Sequence, residues 1–460
     1  MPDIPLDLVV RGGTLVTAEG RQVADLGIKG ETIAQIGGAM TGRCEIDARG
    51  ALVLPGGVDP HVHLHVEDVD PDDAMWADDY TSGSQAALAG GITTVGNMAF
   101  TLPWESLQDR VVAETAAIAR EAIADVFFHL AVTCPTAETA GQVPACVAAG
   151  HSGVKFFMCM PSFEPSARHY AAIMKATAEA GGVTLIHCED LPIIECCTAM
   201  LAHQHRTTLR AYAESRPAAA ENIATERAIE MCRATGCPTY IVHLSSAHAL
   251  DLCRAARAQG LPVFVETRPL YLFLTAERYH DSDGALYTAQ PPLRGSADIE
   301  ALWQGLVDGS IDTIGSDHAP WTRAHKIDPA QTVQTARPGV AELDTMLPLL
   351  FTEGVGKQRI SVERFVALTA TNPARIFGLY PRKGTIAVGS DADLAVWETN
   401  RRRLISNDQL FSRAGHSVYA GREVTAWPRT TIRRGQIVFD DGQVLAAAGS
   451  GRAVNSLRAR

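Results

Sequence analysis

The sequence predicts an α/β protein: a (β/α)8 barrel joined to a small β-sandwich assembled from both chain ends. Three observations predict it. The first fifty residues are short β-type runs separated by glycine turns, "LDLVVRGG", "TLVTAEG", "DLGIKG" and "ETIAQIGG". The chain end repeats that texture in "GTIAVGSDADLAVWE" and "TTIRRGQIVFDDGQV", so the two segments can pair with each other. Between them, apolar strand-like runs alternate with alanine-rich helical stretches, which requires a parallel sheet. The expected division is 1–55 plus 385–460 for the sandwich and 56–384 for the barrel.

The barrel units follow in order. "GITTVGNMAF" leads to "LQDRVVAETAAIAREAIA", "DVFFHLAVT" to "AETAGQVPACVAAG", "SGVKFFMCM" to "ARHYAAIMKATAEAGG", and "VTLIHCED" to "PIIECCTAMLAHQH". "PTYIVHLSS" with "AHALDLCRAARAQG", then "LPVFVETRPLYLFL" and "IDTIGSDHAP", complete the series. Neither a Gly-x-Gly-x-x-Gly turn nor a Walker loop appears, which argues against a nucleotide-binding open sheet.

Composition narrows the function classes. A chain of 460 residues exceeds the usual single core of about 250–300 unless most of it is one large barrel. A net charge of −12 and a pI near 5.7 oppose a phosphate-binding nucleic-acid surface. The start lacks a basic segment followed by a long apolar core, and no run reaches the 18 apolar residues of a membrane span. Ten cysteines without zinc-ribbon or Cys-x-x-Cys spacing read as reduced thiols. The expectation is a cytoplasmic protein with a small-molecule substrate and no nucleic-acid or membrane partner.

Catalytic groups of such barrels sit at the carboxyl ends of the strands. Here those ends carry chemistry repeatedly. His61 and His63 follow "VLPGGV", Lys155 lies in "GVKFFM", His187 ends "VTLIHC", His243 ends "TYIVHL" and Asp317 closes "DTIGSD". Each alone has a plainer explanation: a hydrogen-bonded histidine, a snorkelling lysine, a capping aspartate. Together they would leave many polar groups needing partners at one barrel mouth, and shared metal is the economical partner.

The spacing agrees. Side chains at i and i+2 of an extended segment project to one side, so His61 and His63 can hold one cation. His187 and His243, from two other strands, can hold a second. Imidazole suits zinc and similar ions, and Asp317 can bind metal and accept a proton. Lys155 stands apart, because an ammonium has no lone pair. It becomes a ligand only once its amine is neutralised or carboxylated by carbon dioxide. His129 also ends a strand and reads as a packed, hydrogen-bonded histidine.

These residues resemble the amidohydrolase superfamily, in its cyclic-amidohydrolase branch. The carriers are "PGGVDPHVHL", "GVKFFM", "IHCED", "VHLSS", "GSDHAP", "FVETRPLYL", "PPLR", "TATNPARIFGLYPRKGTIAVGSDADLAVW" and "TIRRGQIVFD", in order along nearly the whole chain. "DVFFHLAVT", "DDYTSGSQAALAGGITTV" and "GREVTAWPRTTIRRGQIV" look most like the dihydropyrimidinase and D-hydantoinase group. The resemblance implies two divalent metal ions, expected to be zinc, held by His61, His63, His187, His243 and Asp317. It further implies that carbon dioxide is incorporated as N6-carboxylysine at Lys155, bridging the two ions. Asp317 is implied as the catalytic proton carrier, with a hydroxide bridging the two ions as nucleophile. A homo-oligomer is implied too, tetramer or dimer, and the tail "GSGRAVNSLRAR" is similar to tails that hydantoinases use across subunits.

Several positions depart from the pattern. Dihydroorotases place an arginine where this chain has His65, which disfavours that activity. Hydantoinases carry a tyrosine at the position of Met160, and a thioether cannot donate its hydrogen bond to a developing oxyanion. Gln290 replaces a serine, and the segment holding Arg337 replaces an asparagine-glycine turn. Met160, Gln290, Arg337 and His65 are therefore the candidate substrate contacts. His318 and His65 read either as groups just behind the metal ligands or as structural histidines. The expected activity is hydrolysis of a hydantoin- or dihydropyrimidine-type ring amide. Allantoinase, cyclic imidase or another lactam hydrolase on the same centre is the nearest alternative, and a non-catalytic scaffold a distant one.

Overall fold

The computed structural model describes residues 6–64 and 76–456. Five strands, β1 (Leu6–Thr17), β2 (Gly20–Lys29), β3 (Thr32–Ile36), β4 (Gly42–Asp47) and β5 (Leu52–Pro55), open the chain. Eight parallel strands follow: β6 (Gly57–Val62), β7 (Ile92–Phe100), β8 (Asp125–Ala131), β9 (Gly153–Phe157), β10 (Val183–His187), β11 (Thr239–Ile241), β12 (Val263–Thr267) and β13 (Thr313–Ile314). Each pairs with the next along the sheet. The seam between β13 and β6 is joined by a bridge of Val62 to His318, where the His63 N–H donates to His318 O at 2.9 Å.

Helices cover these strands, and their starts are written in the sequence. Ser106 caps Leu107–Glu121, Asp190 caps Leu191–His203 ahead of a first-turn proline, and Ser246 caps Ala247–Ala258. Gly236 ends Ala218–Thr235 in the left-handed conformation that residues with a Cβ resist. Burial on both faces explains why β7 and β8 are mainly apolar without the alternation of a half-exposed strand. Val58, Met98, Phe127, Leu185 and Tyr240 pack inside the barrel with Phe377 beneath them.

The chain ends do pair. β14 (Leu394–Glu398) lies antiparallel to β5, with Val396 opposite Val53. Beyond a short ribbon of β15 (Arg403–Leu404) and β16 (Glu423–Val424), strands β17 (Trp427–Arg433), β18 (Gln436–Asp440) and β19 (Gln443–Val444) extend the sheet. The result is one nine-stranded mixed sheet from both termini, ordered β19-β18-β17-β14-β5-β1-β2-β3 with β4 on β1. Buried Lys383 links this unit to the barrel, reaching Asp125 at the start of β8 at 2.8 Å and Asp393 at 2.5 Å.

The tail runs against its own chain. Gly451 N–H donates to Ala122 O at 2.8 Å, Ala453 bridges Val126, and Ser456 N–H donates to Gly150 O at 2.9 Å.

Candidate metal centre

Strand geometry delivers five of the expected ligands to one place. His61 ends β6, and His63 lies just beyond it on the same side of the extended chain. Lys155 projects from the middle of β9, His187 ends β10, and His243 and Asp317 stand just past β11 and β13. All six are buried. His61, His63, His187, His243 and Asp317 line one cavity of about 140 Å³ together with Trp76, Phe100, Phe157, Gln290 and the Ala319 and Pro338–Gly339 edges.

His63 Nε2 lies 3.1 Å and His61 Nε2 3.3 Å from the same oxygen, Asp317 Oδ1. Two imidazoles and one carboxylate oxygen thus converge within 4.8 Å of one another. Backbone strain marks the positions: His243 and Asp317 adopt φ of +39° and +47°. Few residues with a Cβ occupy that region, and strain held in place by its surroundings clusters at working sites.

The donor set fits metal ions. His61 Nε2, His63 Nδ1, His243 Nδ1 and Lys155 Nζ are buried without a hydrogen-bond partner. An unsatisfied buried polar atom costs about 1–3 kcal/mol, so four close together are suited to a shared partner such as a metal ion. Burial and the nearby Lys155 amine hold His61 well below the usual histidine range, and burial with His187 does so for His243. Neutral imidazole is the form that ligates. Burial also lowers Lys155 to about 8, which favours the free amine that can take up carbon dioxide.

A ring of supporting groups fixes these ligands. Glu266 accepts from His61 Nδ1 at 2.8 Å, from the His243 N–H at 2.9 Å and from the Tyr240 hydroxyl at 2.8 Å. Such carboxylates set the tautomer of a ligating histidine, here leaving His61 Nε2 as the donor atom. Glu189 plays a similar part for His187 Nε2 at 2.8 Å and is itself held by Arg216. Burial opposes the charged form of His187, yet Cys159 and Glu189 raise it to about 9. Burial also penalises charge on Asp317, but Arg268 and the His61–His63 pair keep its carboxyl well below the usual range.

Known proteins carry the same architecture. The amidohydrolase family model matches residues 52–438. The chain belongs to the amidohydrolase family. A D-hydantoinase of Rhizobium radiobacter is 33% identical over 454 residues, covering 97% of this chain and 98% of that relative. The crystal structure of a dihydropyrimidinase from Brevibacillus agri superposes with a TM-score of 0.92 at 31% identity, covering 98% of this chain and 99% of that one. An L-hydantoinase (dihydropyrimidinase) of Arthrobacter aurescens superposes with a TM-score of 0.91 at 30% identity, covering 98% and 100%. Within the amidohydrolase family this chain is hydantoinase-like.

The remaining expected contacts fall unevenly in this amidohydrolase. Gln290 lines the cavity. Met160 sits in the turn after β9, where its N–H donates to Phe157 O at 3.3 Å, and Phe157 rather than Met160 faces the cavity. Arg337 turns its side chain back on its own loop, donating to His325 O at 3.0 Å and lying over the Trp321 ring, while its neighbours Pro338 and Gly339 form the wall. His65 lies outside the described residues. His318 is fully enclosed: Nε2 donates to Asp78 at 2.9 Å and Nδ1 accepts from the Glu342 and Leu343 N–H groups, so it braces the loop behind Asp317. His129 donates to Pro60 O at 3.0 Å inside the barrel.

Sequence reading missed Arg268, Glu266, Glu189 and the aromatic walls Trp76, Phe100 and Phe157. Glu266 and Arg268 stand at the end of β12 in "FVETRP", where charges in an apolar run were the available signal. A larger cavity, about 720 Å³, lies on the terminal sheet among Arg401, Arg402, Arg403, Trp427 and Arg429. It shares no residue with the histidine cavity, which alone gathers the ligand set.

Proposed function

We propose that this chain hydrolyses the amide bond of a small cyclic amide or imide, of hydantoin or dihydropyrimidine type, at a centre of two divalent metal ions. The observation that carries the reading is that His61 and His243, each with a partnerless nitrogen, line one small aromatic-walled cavity with His63, His187 and Asp317, while the partnerless Lys155 nitrogen is buried beside the Phe157 ring. His61, His63 and Asp317 would hold one ion, His187 and His243 the other, and Lys155, once carboxylated, would serve both. Zinc suits this nitrogen-rich set. Ions bound there supply Lewis acidity and bring water's pKa from about 15.7 toward about 7.

The chain's own groups would do the rest. Asp317 presents Oδ1 to the cavity, while Arg268 holds Oδ2 at 2.5 Å. Oδ1 can orient the attacking water, take its proton as the new C–O bond forms, and pass that proton to the ring nitrogen as the C–N bond breaks. The product carries a new carboxylate and, for a hydantoin or dihydropyrimidine, a carbamoyl-substituted amine. Trp76, Phe100 and Phe157 form an aromatic wall, with Phe100 and Phe157 stacked at 5.5 Å and Trp76 4.8 Å from His63. Such a wall suits a planar ring and keeps bulk water out, and Gln290 offers one donor and one acceptor to the ring amide. A homo-oligomer, tetramer or dimer, completes the proposal.

The test pairs metal analysis with ring opening of hydantoin, dihydrouracil, allantoin, succinimide and dihydroorotate, using Lys155→Ala as control. Two ions per chain, turnover of hydantoin or dihydrouracil and loss of both in the variant are expected. Two ions with none of these rings opened would overturn the substrate class and keep the centre.

A further inference from the structure

One charged group near the cavity has no part in the chemistry above. Lys326 lies on the short turn Arg323–Lys326 and is buried. Its Nζ, with at most three N–H donors, lies among four acceptors: Thr288 Oγ1 at 2.7 Å, Thr288 O at 2.8 Å, Arg337 O at 2.8 Å and Gly339 O at 2.9 Å. Burial, and then the Arg268 charge, pull its pKa well down.

Those four acceptors belong to two separate loops, and each loop supplies a cavity wall. Thr288 stands two residues before Gln290, and Gly339 with Pro338 forms an adjoining part of the lining. The loops are also bonded directly, by the Gly339 N–H to Thr288 O at 2.9 Å, and Trp321 Nε1 takes Pro338 O at 2.8 Å. Every carbonyl from 337 to 339 is therefore engaged by a donor of this chain. None of the clamped residues is one of the six proposed metal ligands.

We propose that Lys326 is a positioning residue for substrate: it joins the Gln290 loop to the Pro338–Gly339 loop and holds this shared stretch of the cavity lining in place. The inference rests on the cyclic-amide reading for its substrate and on geometry for the clamp. Removing the Lys326 amine leaves the two loops joined by the single Gly339 N–H to Thr288 O bond and loosens this part of the lining, while the candidate metal donors keep their strands and supports. Ring binding then weakens and the chemical step does not, because lost uniform binding raises KM and spares kcat.

The test uses the full-length, metal-loaded protein with Lys326→Met, which keeps length and removes every donor. Metal content should match the wild type. Amide hydrogen exchange should rise about tenfold or more at 286–291 and 336–340, as expected when a local opening loses its restraint. KM for hydantoin and dihydrouracil should rise about tenfold with kcat changed less than about threefold. Trp321→Phe, which deletes one bond to the same wall, should move exchange and KM in the same direction by a smaller factor, and it serves if Lys326→Met does not fold. Unchanged exchange and KM in the folded, metal-loaded variant overturns the clamp, as does a fall of kcat and metal content with KM held. Should the wild type open no ring, the cyclic-amide reading fails while the exchange experiment still decides the clamp.

Discussion

Arg268 donates through one amino group to Asp317 Oδ2 at 2.5 Å, while its Nε and other amino group grip Glu342 Oε2 at 2.9 and 2.6 Å. One buried guanidinium spans two buried carboxylates. The Tyr419 hydroxyl donates to the remaining oxygen of Glu342, which fixes the far end. Asp317 is left with a single oxygen toward His61 and His63.

Arg268→Met should therefore expose two unpaired carboxylates to a dry interior. Breaking a buried pair by deleting one partner costs about 3–5 kcal/mol. The expected result is a lower urea midpoint and weaker metal retention, and Arg268→Lys should recover little because a point charge cannot span both acceptors. A variant as stable as the wild type would show that Asp317 and Glu342 find other partners.

Asp317→Asn keeps the shape of the side chain and removes both the charge and the basic oxygen. A positioned general base contributes about 10²–10⁴-fold, so kcat on the ring substrate should fall by that order. Metal content measured on the same sample separates lost proton transfer from lost ligation. Activity within a few-fold of the wild type would remove Asp317 from the proton path.

Lys155 gives a prediction about reconstitution. Metal removed by chelation and restored in carbon-dioxide-depleted buffer should return slowly or incompletely, and bicarbonate should accelerate the return. Lys155→Ala should show no bicarbonate effect. Equal recovery with and without bicarbonate in the wild type would sink carboxylation at this lysine.

Stability should fall with acid through a stated window. Burial holds His129 down to about 3 and His151 down to about 4, whereas an unfolded histidine titrates near 6.5. Between those values the unfolded chain binds protons that the folded chain refuses, so acid favours unfolding. The contribution is complete above about pH 6.5 and is lost as pH drops toward 3. His129→Gln, compared with the wild type by urea unfolding at pH 7 and pH 5, should show the shallower loss. Identical pH slopes would exclude His129 as a source.

Gly339 adopts φ +125°, and a Cβ there would meet Ala319 O at 2.3 Å. Gly339→Ala must push the wall off its strand-end neighbour. A rise in KM with metal content intact is the expected reading, and unchanged kinetics would place the ring elsewhere in the cavity.

Much of this was legible before any coordinates. The seven interior strands after β6 lie where apolar runs broke into alanine-rich helices, because a strand buried on both faces needs uninterrupted apolar side chains and a surface helix does not. The cluster of polar strand ends was legible for a related reason: a histidine or lysine at the end of such a run has no ordinary place to hide its polar atoms. Arg268 was not legible. Its partners lie 49 and 74 residues away, and nothing in the local sequence distinguishes a guanidinium that spans two carboxylates from one that reaches solvent. Lys326 was hidden in the same way, in a loop whose composition reads as exposed. Met160 was singled out for what it is not, yet in the turn after β9 Phe157 takes the cavity face.

The sequence by itself determined the barrel, the pairing of the two chain ends and the polar residues gathered at the strand ends, since each follows from local periodicity or from residue type at a strand end. Tertiary structure alone decided which oxygen of Asp317 is free, which side chains wall the cavity and what holds those walls together. Those properties are set by contacts between segments far apart in the chain, and only the packed fold brings their partners within hydrogen-bonding distance.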